Sequence, residues 1–217
     1  MIKRVLLLLF PPKCVLCRKL LTREQTDLCS ACLEHVPEFP GSKIRLSFLA
    51  QWTGLWYYKD DVRASLLRYK FSGRRSYASA YGRLLAMKLQ RLGWDDCDCI
   101  TWIPISGRRR FRRGFDQSQL IAKVIARELG LPLLAAVKKV HHTKPQSLMG
   151  DAAHRRANIL GAFQIPEPEL VKGKRIVLID DIVTTGATAS ECSRVLLTAG
   201  AKEVKLATVA VATHDTR

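Results

Sequence analysis

Residues Arg175-Ile176-Val177-Leu178-Ile179-Asp180-Asp181-Ile182-Val183-Thr184-Thr185-Gly186-Ala187-Thr188 leave the chain few ways to fold. Ile176 to Ile179 is wholly apolar and rich in β-branched side chains, the composition of a parallel strand buried on both faces. Asp180 and Asp181 then place two carboxylates at that strand's carboxyl end, where open α/β sheets take their ligands. Thr184, Thr185, Gly186 and Thr188 are small hydroxyl and glycine residues that lead into Ala189 to Leu197, which reads as a helix. The stretch predicts an α/β fold with this strand, turn and helix at its centre.

A loop of this kind at a helix N-terminus turns its N–H groups and the positive end of the dipole toward one point. That is a site for a phosphate monoester. Glycine permits close backbone approach, and the threonine hydroxyls add donors without bulk. The paired carboxylates are acceptors about one ribose away, able to hold vicinal hydroxyls. Phosphate at one end and a diol at the other describe a 5-phosphoribosyl group. An ordinary strand-to-helix turn is the plainer alternative, but it does not need all these residue types in order. The order of aliphatics, two acids, two spacers, two Thr/Ser and a glycine resembles the motif that binds 5-phosphoribosyl 1-pyrophosphate (PRPP) in type I phosphoribosyltransferases.

With 217 residues, of which 47% are apolar, the chain is long enough for one α/β domain and a small appendage. Lysine and arginine number 36 against 19 acidic residues, a net charge of +17. A polyanionic ligand, nucleic acid or a solvated basic surface each accounts for such an excess. Near the start, Val5 to Phe10 follows Lys3 and Arg4 but is short for a signal peptide. Pro11-Pro12-Lys13 ends it without a small-residue cleavage site. No run approaches transmembrane length, so a cytoplasmic protein is expected, with these leucines packed on the adjoining domain. A membrane-surface foothold is the alternative.

Cys14-x2-Cys17 and Cys29-x2-Cys32, eleven residues apart, are two knuckles able to give four thiolates to a tetrahedral Zn2+. In so small a segment the metal replaces a core, and four cysteine ligands leave no open position for catalysis. Disulfides would need an oxidising compartment that nothing else supports. Residues 1–40 are therefore expected to be a zinc-binding segment resembling a double zinc ribbon, and 41–217 the α/β domain. Val36 to Gly41 reads as the linker. Cys97, Cys99 and Cys192 have no partner at metal spacing.

Gly54 to Tyr58 reads as a strand, and Val62 to Phe71 and Tyr81 to Leu92 as helices. Lys70 to Ser76 reads as a basic solvated loop, with a phosphate contact from Lys70 as a lesser option. Asp95-Asp96-Cys97-Asp98 is the polar approach to a strand over Ile100 to Ile105. A loop from Ser106 to Gln117 comes next, with five arginines (Arg108, Arg109, Arg110, Arg112 and Arg113) interleaved with Phe111. Such a loop could bind nucleic acid backbone. Leaving a neighbouring parallel strand, it faces the same crevice as Asp180, where its arginines and amides suit a pyrophosphate. Ser118 to Leu129 reads as a helix closed by Gly130, Leu133 to Val137 as a strand, and Val204 to Val211 as the last strand. The long polar stretch from Lys138 through Asn158 reads as a lid over the reactive centre. His141-His142 reads as loop rather than metal ligands.

The four-cysteine knuckles, Ile103-Pro104-Ile105-Ser106, Arg113-Gly114-Phe115-Asp116-Gln117, Thr143 to Gln146, Arg155-Arg156-Ala157-Asn158, Gly161-Ala162-Phe163 and the Asp-Asp-x-x-Thr-Thr-Gly loop occur in this order. Together they resemble the ComF family of phosphoribosyltransferase-like proteins, which includes competence protein F and gluconate-associated relatives, over nearly the whole chain. Asp116 stands where that family usually has asparagine, and Lys139 and His141 where arginines are usual. The resemblance implies a type I phosphoribosyltransferase-like parallel sheet flanked by helices, with a small hood expected around residues 45 to 95 and the tail.

It also implies a set of roles. Asp180 and Asp181 would hold the ribose hydroxyls, and Thr184, Thr185, Gly186, Ala187 and Thr188 the 5′-phosphate. Ser106, Arg113, Gly114, Lys139 and Gln146 would form the pyrophosphate site and lid, with Mg2+ bridging ribose and pyrophosphate oxygens. The implied activity is transfer of a 5-phosphoribosyl group from PRPP to an acceptor that no motif identifies. The alternatives are a non-catalytic accessory of DNA uptake that binds single-stranded DNA on this fold, and a PRPP-sensing regulator.

Overall fold

The computed structural model describes residues 11–41, 45–140 and 159–212. Its main sheet has four strands, all parallel: β1 (Gln51–Tyr57), β2 (Cys99–Trp102), β5 (Arg175–Val183) and β6 (Glu203–Val211), in the order β1-β6-β5-β2. β5 and β6 are central, which is why their side chains are apolar on both faces. A second, two-stranded antiparallel sheet pairs β3 (Lys138–Lys139) with β4 (Phe163–Gln164). The helices are α1 (Ser30–His35), α2 (Asp60–Phe71), α3 (Tyr77–Arg91), α4 (Gly107–Arg113), α5 (Gln117–Leu129) and α6 (Ala187–Thr198).

Alternation along β5 splits the core into two layers. Val177 and Ile179 face α2, α3 and α5 through Leu66, Tyr69, Tyr81, Leu85, Ile121 and Ile125. Ile176 and Leu178 face Cys192 and Leu196 of α6, together with Phe163 and Val171. The N-terminal knuckles share the first layer, where Cys14, Val15 and Leu16 are buried with the α2 and α3 residues. Val36 to Gly41, read as a linker, is mostly exposed but anchored at Phe39, whose N–H donates to Leu55 O at 2.6 Å. The Phe39 ring lies against Trp52 and Tyr57, 5.5 and 5.2 Å between centroids. It covers the edge of β1 that would otherwise be open to pairing.

Other segments also differ from the sequence reading. Ser106 to Gln117 is not a loop, because Gly107 to Arg113 forms α4. That helix buries no residue, so it carries no apolar periodicity to betray it. Leu133 to Val137 is not a strand. Leu133 makes one parallel bridge to Ile100, and Thr101 Oγ1 then caps the departing chain by donating to Leu134 O at 2.8 Å. The chain leaves the sheet there to form β3, so Lys138 and Lys139 of the expected lid are strand residues. α5 and its closing Gly130, which is left-handed at φ 67°, agree with expectation. Asp96 and Asp98 pair with Arg175 at the amino end of β5, as a polar approach should. Of residues 45 to 95, the segment 45–50 approaches the α6 N-terminus while the remainder forms β1, α2 and α3. Among the described residues no helix is long and apolar enough to cross a membrane. The leucines before Pro11 lie outside the described residues.

Candidate functional site

The crevice arises from unequal strand lengths. β2 pairs with β5 only as far as Trp102 opposite Ile179, whereas β6 accompanies β5 to Val211 opposite Val183. From Asp180 onward the β2 side of β5 is unpaired, and the groove opens there. Asp180 and Asp181 are thus inside β5 rather than just beyond its end, because the β6 ladder carries the strand four residues further than its Ile176–Ile179 apolar run. Neighbouring strand residues point to opposite faces, so the two carboxylates have different surroundings.

Asp181 reaches Lys70 in the last turn of α2, with Nζ 2.8 Å from Oδ2. Asp180 Oδ1 accepts from Ser118 Oγ at 3.2 Å and from the Asp181 N–H at 2.8 Å. Although a little of its surface remains accessible, Asp180 is densely surrounded. Burial, then the charge of Asp181, pushes its carboxyl up to about 7. Burial beside Arg109 lowers the Lys139 ammonium to about 8, and the charge of Asp180 partly offsets this. Lys139 also lies 5.1 Å over the Phe163 ring.

After β5 the chain turns through Thr184, Thr185 and Gly186 into α6, so Ala187 and Thr188 already belong to the first helical turn. Gly186 is favoured by its φ of 73°; a Cβ there would also meet the end of the Leu46 side chain, 2.5 Å from Cδ2, which can shift aside. The Ala187 N–H donates to Thr185 Oγ1 at 3.4 Å.

The segment between β2 and α5 forms the other wall. Buried Ser106 precedes α4, and its carbonyl accepts from the Arg110 N–H at 2.9 Å. Arg113 ends α4, donates to Gln117 Oε1 at 2.9 Å and lies 5.2 Å over Phe71. Burial lowers its pKa, opposed by the charge of Asp181. Gly114 turns the chain at φ 75°, its carbonyl held by Arg75 Nη2 at 2.8 Å.

Asp116, the departure from the ComF pattern, caps α5 by accepting from the Gln119 N–H at 3.2 Å. It also ties down the Ile105 N–H at 3.1 Å. Two oxygens serve two donors, a pair of acceptances that an asparagine side chain has only one oxygen to supply. Burial raises its pKa against these two bonds.

Asp180, Asp181, Arg113 and Lys139 are thus drawn into one electrostatic neighbourhood, bounded by the 184–188 turn and the 106–114 segment. Gln146, Thr143, His141 and His142 lie outside the described residues. Sequence reasoning missed Lys70 as a partner of Asp181, and Ser118. The start of α5, immediately after the β2 connection, was a readable pointer to Ser118. The sequence places Lys70 in a basic solvated loop, with a phosphate contact as a lesser option, but nothing local points to its pairing with Asp181.

The cysteines form a second centre. The Sγ atoms of Cys14, Cys17, Cys29 and Cys32 all lie within 4.8 Å of one another, with Cys17 and Cys29 3.6 Å apart. Tetrahedral zinc with Zn–S near 2.3 Å separates its sulfurs by about 3.8 Å, so the set fits the ion. The first knuckle is closed by the Arg18 N–H to Cys14 O and the Cys14 N–H to Lys19 O, 3.0 and 2.8 Å. The N–H of Cys32 draws the Cys29 thiol down to about 7, whereas burial pushes the Cys17 and Cys32 thiols up, so a bound cation would have to favour their thiolates.

A profile for the phosphoribosyl transferase domain matches residues 116–217, and one for the double zinc ribbon domain matches 5–43. The DNA utilization protein YhgH of Escherichia coli K12 is 32% identical over 183 residues, covering 82% of this chain and 75% of its own. The chain belongs to the ComF family. Competence protein F of Haemophilus influenzae is 28% identical to this ComF protein, over 89% of this chain and 94% of its own. A solved Bacillus subtilis glutamine PRPP amidotransferase, complexed with ADP and GMP, aligns over 62% of the ComF chain and 26% of its own. Its identity is 22% and its TM-score 0.42. The parallel sheet flanked by helices and the four-cysteine ribbon are the architecture that the two domain profiles describe.

Proposed function

We propose that this ComF protein binds PRPP in the crevice beside β5 and transfers its 5-phosphoribosyl group to an acceptor, releasing pyrophosphate. The observation that supports this reading is the end of β2–β5 pairing at Ile179, which leaves Asp180 and Asp181 beyond it, with the 184–188 turn following β5 and the 106–114 segment following β2. The turn's N–H groups and hydroxyls take the 5′-phosphate, with charge attracted to the α6 N-terminus. Asp180 and Asp181 accept from the ribose hydroxyls. Ser106, Arg113 and the Gly114 backbone hold the pyrophosphate, with Lys139 adding its charge from the side of Asp180.

The bond from C1 to pyrophosphate oxygen breaks with its electron pair leaving on pyrophosphate, and a bond from C1 to the acceptor forms. As positive charge develops at C1 in the transition state, a carboxylate-lined groove opposes it. Fixing the reactants and excluding water contribute more here than a strong base. Asp180 and Asp181 are oxygen donors of the kind that would hold Mg2+, which would supply positive charge to offset that of the departing pyrophosphate.

Phe111 favours a second reading. It is 92% exposed on α4 and is flanked by Arg108, Arg109, Arg110, Arg112 and Arg113. An aromatic face among guanidinium groups suits stacking of an unpaired base, and the YhgH and competence F relatives are named for DNA utilization and competence.

Calorimetric titration of the zinc-loaded protein with Mg2+ and PRPP separates the readings. Saturable binding lost in the Asp180→Asn/Asp181→Asn variant is the expected result and opens an acceptor screen read by pyrophosphate release. A folded protein that ignores PRPP but binds single-stranded DNA, with affinity falling steeply in salt and on Phe111→Ala, would overturn it.

A further inference from the structure

We propose that Lys70 is a ligand-binding residue of the phosphoribosyl site, bridging Asp181 and the pyrophosphate of the bound ligand; this rests on the phosphoribosyl reading of the groove. A lysine in the last turn of a helix ordinarily extends into water, where hydration and rotamer freedom favour it. Lys70 does the opposite. Its side chain is 16% exposed and turns inward to an Asp181 side chain that is 12% exposed, at 2.8 Å.

The helix that carries it is fixed along its length. Ser65 Oγ donates to the Val15 carbonyl and Arg68 Nη2 to the Leu16 carbonyl of the first zinc knuckle. Tyr69, fully buried, donates its hydroxyl to Gln117 O at 2.9 Å. The backbone of Lys70 is therefore pinned between the ribbon and the start of α5.

The residues just after Lys70 point to the ligand. Phe71 supports the Arg113 guanidinium, and Arg75 grips the Gly114 carbonyl while lying 5.2 Å over the Phe115 ring. The 70–75 corner is thus docked through Phe71 and Arg75 on the segment assigned to pyrophosphate, while Lys70, at the head of the same corner, reaches Asp181. An ammonium carries three N–H donors. Asp181 takes one, the charge of Lys70 is also felt by Asp180, and among the described residues Lys70 makes no second hydrogen bond or ion pair. Before ligand binds, the lysine compensates Asp181. When the ligand enters, its remaining donors meet a pyrophosphate oxygen while the contact to Asp181 persists, linking diol recognition to leaving-group recognition through one side chain.

Three probes test this by calorimetry with Mg2+: PRPP, inorganic pyrophosphate and ribose 5-phosphate, which lacks the leaving group. Lys70→Met is expected to weaken PRPP and pyrophosphate by about tenfold or more, the effect of a lost charge-assisted bond, and ribose 5-phosphate by less than about twofold. Lys70→Arg is expected to recover most of the loss. Retained ribose 5-phosphate binding doubles as proof that Lys70→Met is folded. Equal weakening of all three probes would reduce Lys70 to a support for Asp181 and overturn the proposal, as would unchanged PRPP affinity. Wild-type protein that binds none of the probes would instead refute the phosphoribosyl reading itself, and this one with it.

Discussion

Gly82→Ala tests whether the packing beneath the site is as tight as it looks. Gly82 lies in the middle of α3, where glycine costs about 1 kcal/mol relative to alanine, so on helix propensity alone the substitution should stabilise. The crossing with α5 reverses the sign. A Cβ on Gly82 would lie 2.4 Å from Val124 Cβ, 2.6 Å from Val124 Cγ1 and 3.2 Å from the Ile121 carbonyl. Carbon atoms settle at about 3.5–4.0 Å, so the helices must part by roughly 1 Å. Val124 Cβ is fixed to the backbone and cannot rotate away. Overpacking of this kind costs about 1–3 kcal/mol, occasionally more, and the separation also loosens Tyr81, Leu85, Ile121 and Ile125. After the propensity gain, net destabilisation of up to about 2 kcal/mol is expected in urea unfolding of the zinc-loaded protein. Val124→Gly removes the opposing Cβ, so the double variant should be more stable than the sum of the singles by at least about 1 kcal/mol. Gly82→Ala at or above wild-type stability, or additivity within about 0.5 kcal/mol, would falsify the argument.

Zinc removal should reach well beyond the knuckles, because Ser65 and Arg68 of α2 hold the carbonyls of Val15 and Leu16. Hydrogen exchange after chelation, or in Cys14→Ser, is expected to show the amides of α2 losing protection together with those of 14–32. Unchanged α2 protection would mean that the ribbon folds independently of it. The ligand-free protein should also carry a pH signature from Asp180. Its carboxyl is held near 7 against an ordinary 3.8, so the folded state binds the proton more tightly than the unfolded chain. The stability this gives is complete below about pH 4 and is lost as pH rises through about 7. Asp180→Asn removes the effect, so its melting temperature relative to wild type should climb between pH 5 and pH 8. A pH-independent difference would show that Asp180 titrates as an ordinary carboxylate.

The readable parts of this chain were those written in consecutive residues. Apolar 176–179, with the acids and turn after it, specified β5 and the start of α6. The two Cys-x2-Cys pairs specified the ribbon, and the periodicity ending at Gly130 specified α5. In each case the determining physics is local: burial on two faces, ligand spacing, a left-handed cap. α4 escaped because five arginines and an exposed phenylalanine present no apolar face to the core, and such a face is what periodicity reports. The tertiary structure alone decided how far β5 runs, since its last residues are held by the β6 ladder rather than by their own composition. That length sends Asp180 and Asp181 to opposite faces and gives each a different partner. Ser118 is 62 residues from Asp180, and Ser65 is 50 from Val15. Lys70 meets Asp181 across a still longer separation, with strand order, register and the grip of α2 on the zinc ribbon all intervening. Pairings of this kind depend on which surfaces the whole chain brings together, and no window of sequence contains that information.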